Sequence, residues 1–205
     1  MKKLESTLGN MVMVLTLVSL VAAALLAVMN EITSEPIRLQ AEQKEQNGIK
    51  KVLVLGADQQ VSVAPAEVKS VDGQEFTIYR VTDAEGNAIG AAVKTSVQGF
   101  SPNLTVMVGF DAEGTIKGYE ILSQAETPGL GANVPTWFQA EGKGSVIGKN
   151  PKTNNLTVTK DGGEIQAITA STITSRAFLK AINLEYNALF GSGAHGNTGA
   201  TQPVK

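Results

Sequence analysis

Cysteine is missing from this 205-residue sequence, histidine and tryptophan occur once each, and aromatic residues make up only 5% of it. Without cysteine the chain has no disulfide, thiolate metal site, iron–sulfur cluster or cysteine nucleophile of its own. The single histidine, His195, lies in a Gly/Ala/Asn-rich tail, where an exposed side chain is the ordinary reading and a ligand or base is not. A surplus of positive charge is also lacking. Lys and Arg total 17 against 19 Asp and Glu, a formal net charge of −2, so no nucleic-acid partner is expected. Most hydrolase and metal chemistry is therefore out of reach, and neither a catalytic side chain nor a metal ligand is expected.

What the sequence does contain begins with a long apolar run. Residues 8–29, LGNMVMVLTLVSLVAAALLAVM, carry no charge over about 22 positions, against the ~20 needed to span a bilayer. As a helix the run would rise ~33 Å, close to the hydrocarbon thickness. Lys2 and Lys3 precede it, and Glu31 and Glu35 follow it. The positive-inside rule then predicts a single-pass protein of the cell inner membrane, in contact with lipid, with a cytoplasmic N-terminus. The main domain is placed on the periplasmic or extracytoplasmic side. A cleavable signal peptide is the main alternative, kept open by AAALLA, although the run exceeds a usual signal core and no small-x-small site follows it. A pilin-like protein also places a Glu before an apolar helix, but the small-residue-then-Phe processing site is missing.

After this run, Pro36 suits the first turn of a second, charged helix over residues 36–54. Strand patterns follow at 74–83, 88–97, 103–111 and 115–124, joined by the turns AEGN and DAEG, which predicts an antiparallel meander. In the third strand Val106, Val108 and Phe110 alternate with Thr105 and Met107. A Gly/Pro-rich loop region comes next, holding Trp137 and a short helical stretch at 135–141. NLTVTK and EIQAIT read as two short strands around the turn DGG. The last element, TITSRAFLKAINLEYNALFG, is an amphipathic helix with Ile173, Ala177, Ala181, Leu184 and Ala188 as one stripe, widened by Phe178, Ile182 and Leu189 and stopped by Gly191. The fold class is α+β. The domain reading is a tip and transmembrane helix at 1–30, a charged connecting helix at 31–60, the main domain at 61–191 and a disordered tail at 192–205.

The junction before the last helix, AITASTITSRAF, is rich in hydroxyls: Thr169, Ser171, Thr172, Thr174 and Ser175. One of Thr169, Ser171 and Thr172 as N-cap, worth about 1 kcal/mol, with Thr174 and Ser175 in the first turn, is one account. A phosphate site at the free N–H groups of the helix start is the other. TASTITS resembles the [Ser/Thr]-Gly-Ala-Thr-x-[Ser/Thr] signature of the FMN-binding domains in the G subunit of Rnf electron-transport complexes and in its relative, the C subunit of the sodium-translocating NADH:quinone reductase. Glu126-Thr127-Pro128-Gly129-Leu130-Gly131 is similar to the family's loop beside the flavin, and Gly-Phe-Ser at 99–101 stands in the place of its Gly-aromatic-Gly turn.

The resemblance implies covalent FMN on the Thr172 hydroxyl, with Ser171, Thr169, Thr174 and Ser175 around the phosphate. It places Glu126, Thr127, Gly129, Leu130 and Gly131 against the ring. It also implies an electron relay inside an ion-translocating oxidoreductase, with other membrane and redox subunits as partners and a flavin transferase for maturation. Little stand-alone catalysis is expected. A membrane-tethered FMN sensor and a cofactor-free pilin-like structural protein are the competing functions. The signature departs at Ala170, where alanine disfavours a left-handed turn, and at Ser171. A more literal tetrad, TGAT at 198–201, lacks an entering strand and an exiting helix.

Overall fold

The computed structural model describes residues 7–56, 61–71, 73–191 and 193–194. Lys2, Lys3, His195 and the second tetrad at 198–201 lie outside the described residues. The chain divides into two compact units, one up to Lys44 and one from Glu45 onward.

The first unit is helical. Helix α1, Leu8–Val52, is continuous, and Pro36 lies inside it instead of opening a second helix. The proline ring costs the backbone bond to the carbonyl of residue 32. Nearby hydroxyls bond back to the helix, Thr33 Oγ1 to the Met29 carbonyl at 2.7 Å and Ser34 Oγ to the Glu31 carbonyl at 3.2 Å. Its N-terminal apolar segment has a mean hydropathy of 2.8 with 0% of that window buried, so it is long and apolar enough to cross a membrane.

The second unit is built on an antiparallel sheet. Its strands are β1 (Val61–Val63), β2 (Glu67–Val71), β3 (Gln74–Asp83), β4 (Ala88–Val97), β5 (Leu104–Asp111) and β6 (Ile116–Ser123). The spatial order is β1-β3-β4-β5-β6, and β2 pairs with β3 as well. The four long strands match the meander read from the sequence. Register puts Val93 opposite Val108 and Ile78 opposite Val93, a β-branched ladder on one face.

Both faces of this sheet are covered, so the alternation expected in β5 does not separate core from solvent. Phe76, Ile78, Val93, Val106, Val108 and Phe110 face the main core, and Met107 is equally buried on the opposite face. There it packs with Ile49, Val52 and Leu53 from the end of α1 and with Tyr79, Val81 and Ala92. Two glycines paired across β5 and β6, Gly109 and Gly118, make room for this. A β-carbon on them would fall 2.3 and 2.8 Å from the Val52 carbonyl oxygen. Glu45 fixes the same contact, accepting from Lys94 Nζ at 2.7 Å and from the Tyr79 hydroxyl. Burial and the neighbouring carboxylate push the Tyr79 phenol well above its ordinary pKa. The helix then ends in a Schellman pattern, Leu55 N–H to the Lys50 carbonyl and Val54 N–H to that of Lys51. Val54, at φ 54°, occupies the left-handed position usually given to glycine.

The main core is closed by α3, Thr172–Phe190. The loop between β6 and α3 holds a short helix α2 (Val134–Trp137) and a 3-10 turn (Thr159–Asp161). The two short strands expected over 155–160 and 164–169 do not form; a single bridge joins Val158 and Ile165. Their apolar residues Leu156, Val158, Ile165 and Ile168 instead plug the core, each at most 3% exposed. Phe138 stacks on Phe178 with ring centroids 4.5 Å apart, and Tyr119 donates its hydroxyl to the Val134 carbonyl at 2.6 Å. Helix α3 is thus packed between sheet and loop, and its buried band is wider than the one-sided stripe read from the sequence. Thr174, Ser175 and Glu185 are buried in that band, whereas Ile173 is 53% exposed. Glu185 is fully buried with the Thr95 backbone beside its carboxyl, and burial pushes its pKa well above the ordinary range.

Candidate functional site

Three segments converge on a cleft of about 420 Å3 beside the start of α3. The β4–β5 turn supplies Phe100; the segment after β6 supplies Glu126, Thr127, Leu130 and Gly131; the helix start supplies residues 170–174. Phe100 at 66% exposure, Leu130 and Ile173 set apolar surface around the mouth. Such a volume with apolar walls and a few converging polar groups suits a small organic ligand.

The helix start is shaped by its own hydroxyls in an unexpected way. Ser171 is the N-cap residue, yet its side chain makes no capping bond. Its hydroxyl turns to Thr174 Oγ1 at 2.9 Å, and Thr174 in turn donates to Glu126 Oε2 at 2.8 Å. The other Glu126 oxygen accepts the Ser101 backbone N–H at 3.1 Å. One carboxylate thereby ties all three segments together. Glycines on both sides leave room for it: a β-carbon at Gly99 would fall 2.2 Å from Glu126 Oε1, and one at Gly131 would fall 2.6 Å from both Glu126 Oε2 and Thr174 Oγ1, so either would push the carboxylate aside.

Ser175 lies outside the cleft lining. Its hydroxyl donates to the Ser171 carbonyl at 2.9 Å and accepts the Ile168 N–H at 3.0 Å, which locks the segment entering the helix. That segment is not a strand. It is held by these bonds, by the burial of Ile168 and by Trp137, whose indole N–H donates to the Gln166 carbonyl at 2.9 Å. Ala170 takes the left-handed conformation at φ 57° despite its β-carbon, contrary to the expectation that alanine would avoid it. Asp161 pins the loop to α3 through a two-pronged contact with Arg176 at 2.7 and 2.6 Å, and the guanidinium lowers its carboxyl pKa.

Of the residues expected at the site, Thr172, Ser171, Thr174, Glu126, Thr127, Leu130 and Gly131 line one cleft. Thr169, Ser175 and Gly129 do not line it. Gly129, at φ 76°, shapes the loop instead. Phe100, Ala170 and Ile173 line it in addition. The turn containing Phe100 stood out in the sequence, but nothing there showed that its ring reaches the cleft. Ile173 read as a core position because it falls on an i, i+4 stripe.

The arrangement fits a flavin phosphate. An uncapped helix start offers first-turn N–H groups to an anion, a hydroxyl stands at the first helical residue, and apolar side chains flank the opening. The FMN-binding domain family matches residues 99–186, which include every residue lining this cleft. Over nearly the whole chain, the protein is 31% identical to the G subunit of the ion-translocating oxidoreductase complex of Aliivibrio fischeri, across 86% of this chain and 88% of that one. It is 32% identical to the G subunit of the Na(+)-translocating ferredoxin:NAD(+) oxidoreductase complex of Acetobacterium woodii (84% and 86% covered). To the corresponding ion-translocating oxidoreductase protein of Methanosarcina acetivorans it is 28% identical (85% and 90% covered). The chain belongs to the G-subunit family of ion-translocating oxidoreductase complexes. With its exposed apolar helix, it is a membrane-anchored subunit that binds FMN.

Proposed function

We propose that Thr172 carries FMN covalently, through a phosphoester to its Oγ1, and that the protein relays electrons within an Rnf-type complex. The observation that carries this reading is the position of Thr172, in the cleft and at the first residue of a helix whose N-cap side chain is turned elsewhere. Free N–H groups in the first turn meet the phosphate, and the helix dipole favours its charge. Phe100, Leu130 and Ile173 are the apolar side chains that would hold the ring. Flavin supplies the electron chemistry when bound, which is why the chain needs no cysteine or histidine for it.

Attachment requires a flavin transferase that reaches the exposed side of the helix start, where Ile173 and the loop around Asp161 are accessible. The anchor keeps the cofactor beside the other redox subunits, with residues 61–191 on the extracytoplasmic side and the N-terminus in the cytoplasm. A covalent bond there prevents loss of the flavin to the surroundings.

Denaturing gels viewed under ultraviolet light test the assignment, with the chain co-produced with its transferase. The wild-type protein is expected to keep a fluorescent band and Thr172→Ala to lose it completely, while Thr201→Ala behaves as wild type. Covalent flavin retained by Thr172→Ala would overturn the reading.

A further inference from the structure

The hydroxyl chain at the cleft has a direction, and that direction limits what the ligand can place against it. A carboxylate only accepts hydrogen bonds and a backbone N–H only donates. With Glu126 Oε1 taken by the Ser101 N–H, Oε2 receives the proton of Thr174. Thr174 has no second proton, so the contact to Ser171 is made with the Ser171 proton. All three side chains are at least nine-tenths buried, so water does not readily substitute for any link. The proton of Ser171 is therefore committed to Thr174, and the Ser171 oxygen has only lone pairs left to offer the cleft that it lines.

We infer that Glu126 is a positioning residue that makes Ser171 an acceptor for an N–H or O–H group of the ligand, leaving the phosphate to the first-turn amides. This rests on the reading that the cleft takes FMN. It revises the expectation that the hydroxyls form the phosphate shell, since an anion gains nothing from a lone pair. Two groups of FMN have the required chemistry: the ring N–H of the pyrimidine edge and the ribityl hydroxyls.

Glu126→Gln distinguishes this role from that of a plain structural tie. The Gln oxygen must face the Ser101 N–H, so its NH2 faces Thr174 and displaces the Thr174 proton; Ser171 Oγ, 2.9 Å away, is the acceptor at hand for it, and Ser171 is then free to point its own proton into the cleft. Every hydrogen-bond partner inside the protein is kept, so the unloaded variant is expected to fold cooperatively with only a small melting loss. Loaded with the transferase, it is expected to show a several-fold lower flavin occupancy, the cost of opposing two donors. Ser171→Ala is expected to lose less than Glu126→Gln, because it removes the acceptor without opposing two donors.

A shift of the visible flavin bands in Glu126→Gln assigns the ring N–H as partner; unmoved bands with the same occupancy pattern assign a ribityl hydroxyl. Wild-type occupancy in Glu126→Gln, a loss in Ser171→Ala as large as that in Glu126→Gln, or a large melting loss in the unloaded Glu126→Gln protein would each overturn the inference while leaving flavin attachment intact. A wild-type chain without flavin would overturn the parent reading, and this one with it.

Discussion

Replacing Ala170 by glycine removes a β-carbon from a left-handed position, where it costs about 1–2 kcal/mol, against some 0.4–1 kcal/mol of added chain entropy in the unfolded state. Ala170→Gly is thus expected to raise stability by up to about 1 kcal/mol in urea melts. Glu185 makes a second residue-level prediction. Its pKa is raised in the folded state, so the unfolded chain gives up the proton first as pH rises. Its contribution is whole below the ordinary Glu range and is lost above it, at about 1.4 kcal/mol per pH unit until the folded group ionises. Glu185→Gln is expected to flatten the pH dependence and to melt higher than wild type at pH 8. Neither residue could be assigned this behaviour from the sequence, because both depend on surroundings that are distant along the chain. Thr172 and Glu126 could be singled out because their motifs are local; the bonds that use up Ser175 and join Glu126 to Thr174 span 7 and 48 positions and are not.

The elements were legible where one pattern meets one environment. Strands β3 to β6 follow turn signals and alternation, and α3 follows its Ser-Thr start and Gly191 stop. Reading failed where an element has two partners. Met107 looked outward because the end of α1 covers the second sheet face, and the apolar residues of 156–168 looked like strands because core plugs at alternate positions share that spacing. Pro36 looked like a boundary, since proline's preference for a first helical turn says nothing about a helix that tolerates it inside. The end of α1 gives a clean test of backbone strain. Val54 is 67% exposed and left-handed, so Val54→Gly gives up little burial and is expected to stabilise the protein by about 1 kcal/mol by thermal or urea melting. Gly131→Ala is the opposite case: its β-carbon would displace Glu126 and Thr174, and a loss of about 1–3 kcal/mol together with most of the flavin band is expected.

Considered whole, the chain keeps both packed cores and the cleft within the unit from Glu45 onward. Residues 45–205 produced alone are expected to give a cooperative melt and to stay in the supernatant on high-speed centrifugation, and the full chain is expected to sediment with membranes until detergent is added. The uncapped start of α3 also matters to the molecule as a whole. A helix that seals sheet and loop together lacks one stabilising group that its own side chains could have supplied. A covalently held phosphate would supply it without the concentration dependence of a free ligand, so dialysis could not reverse the gain. On the proposed attachment, maturation would complete folding at this corner, and amide exchange at Ile173 and Thr174 would gauge how many molecules in a preparation carry the cofactor.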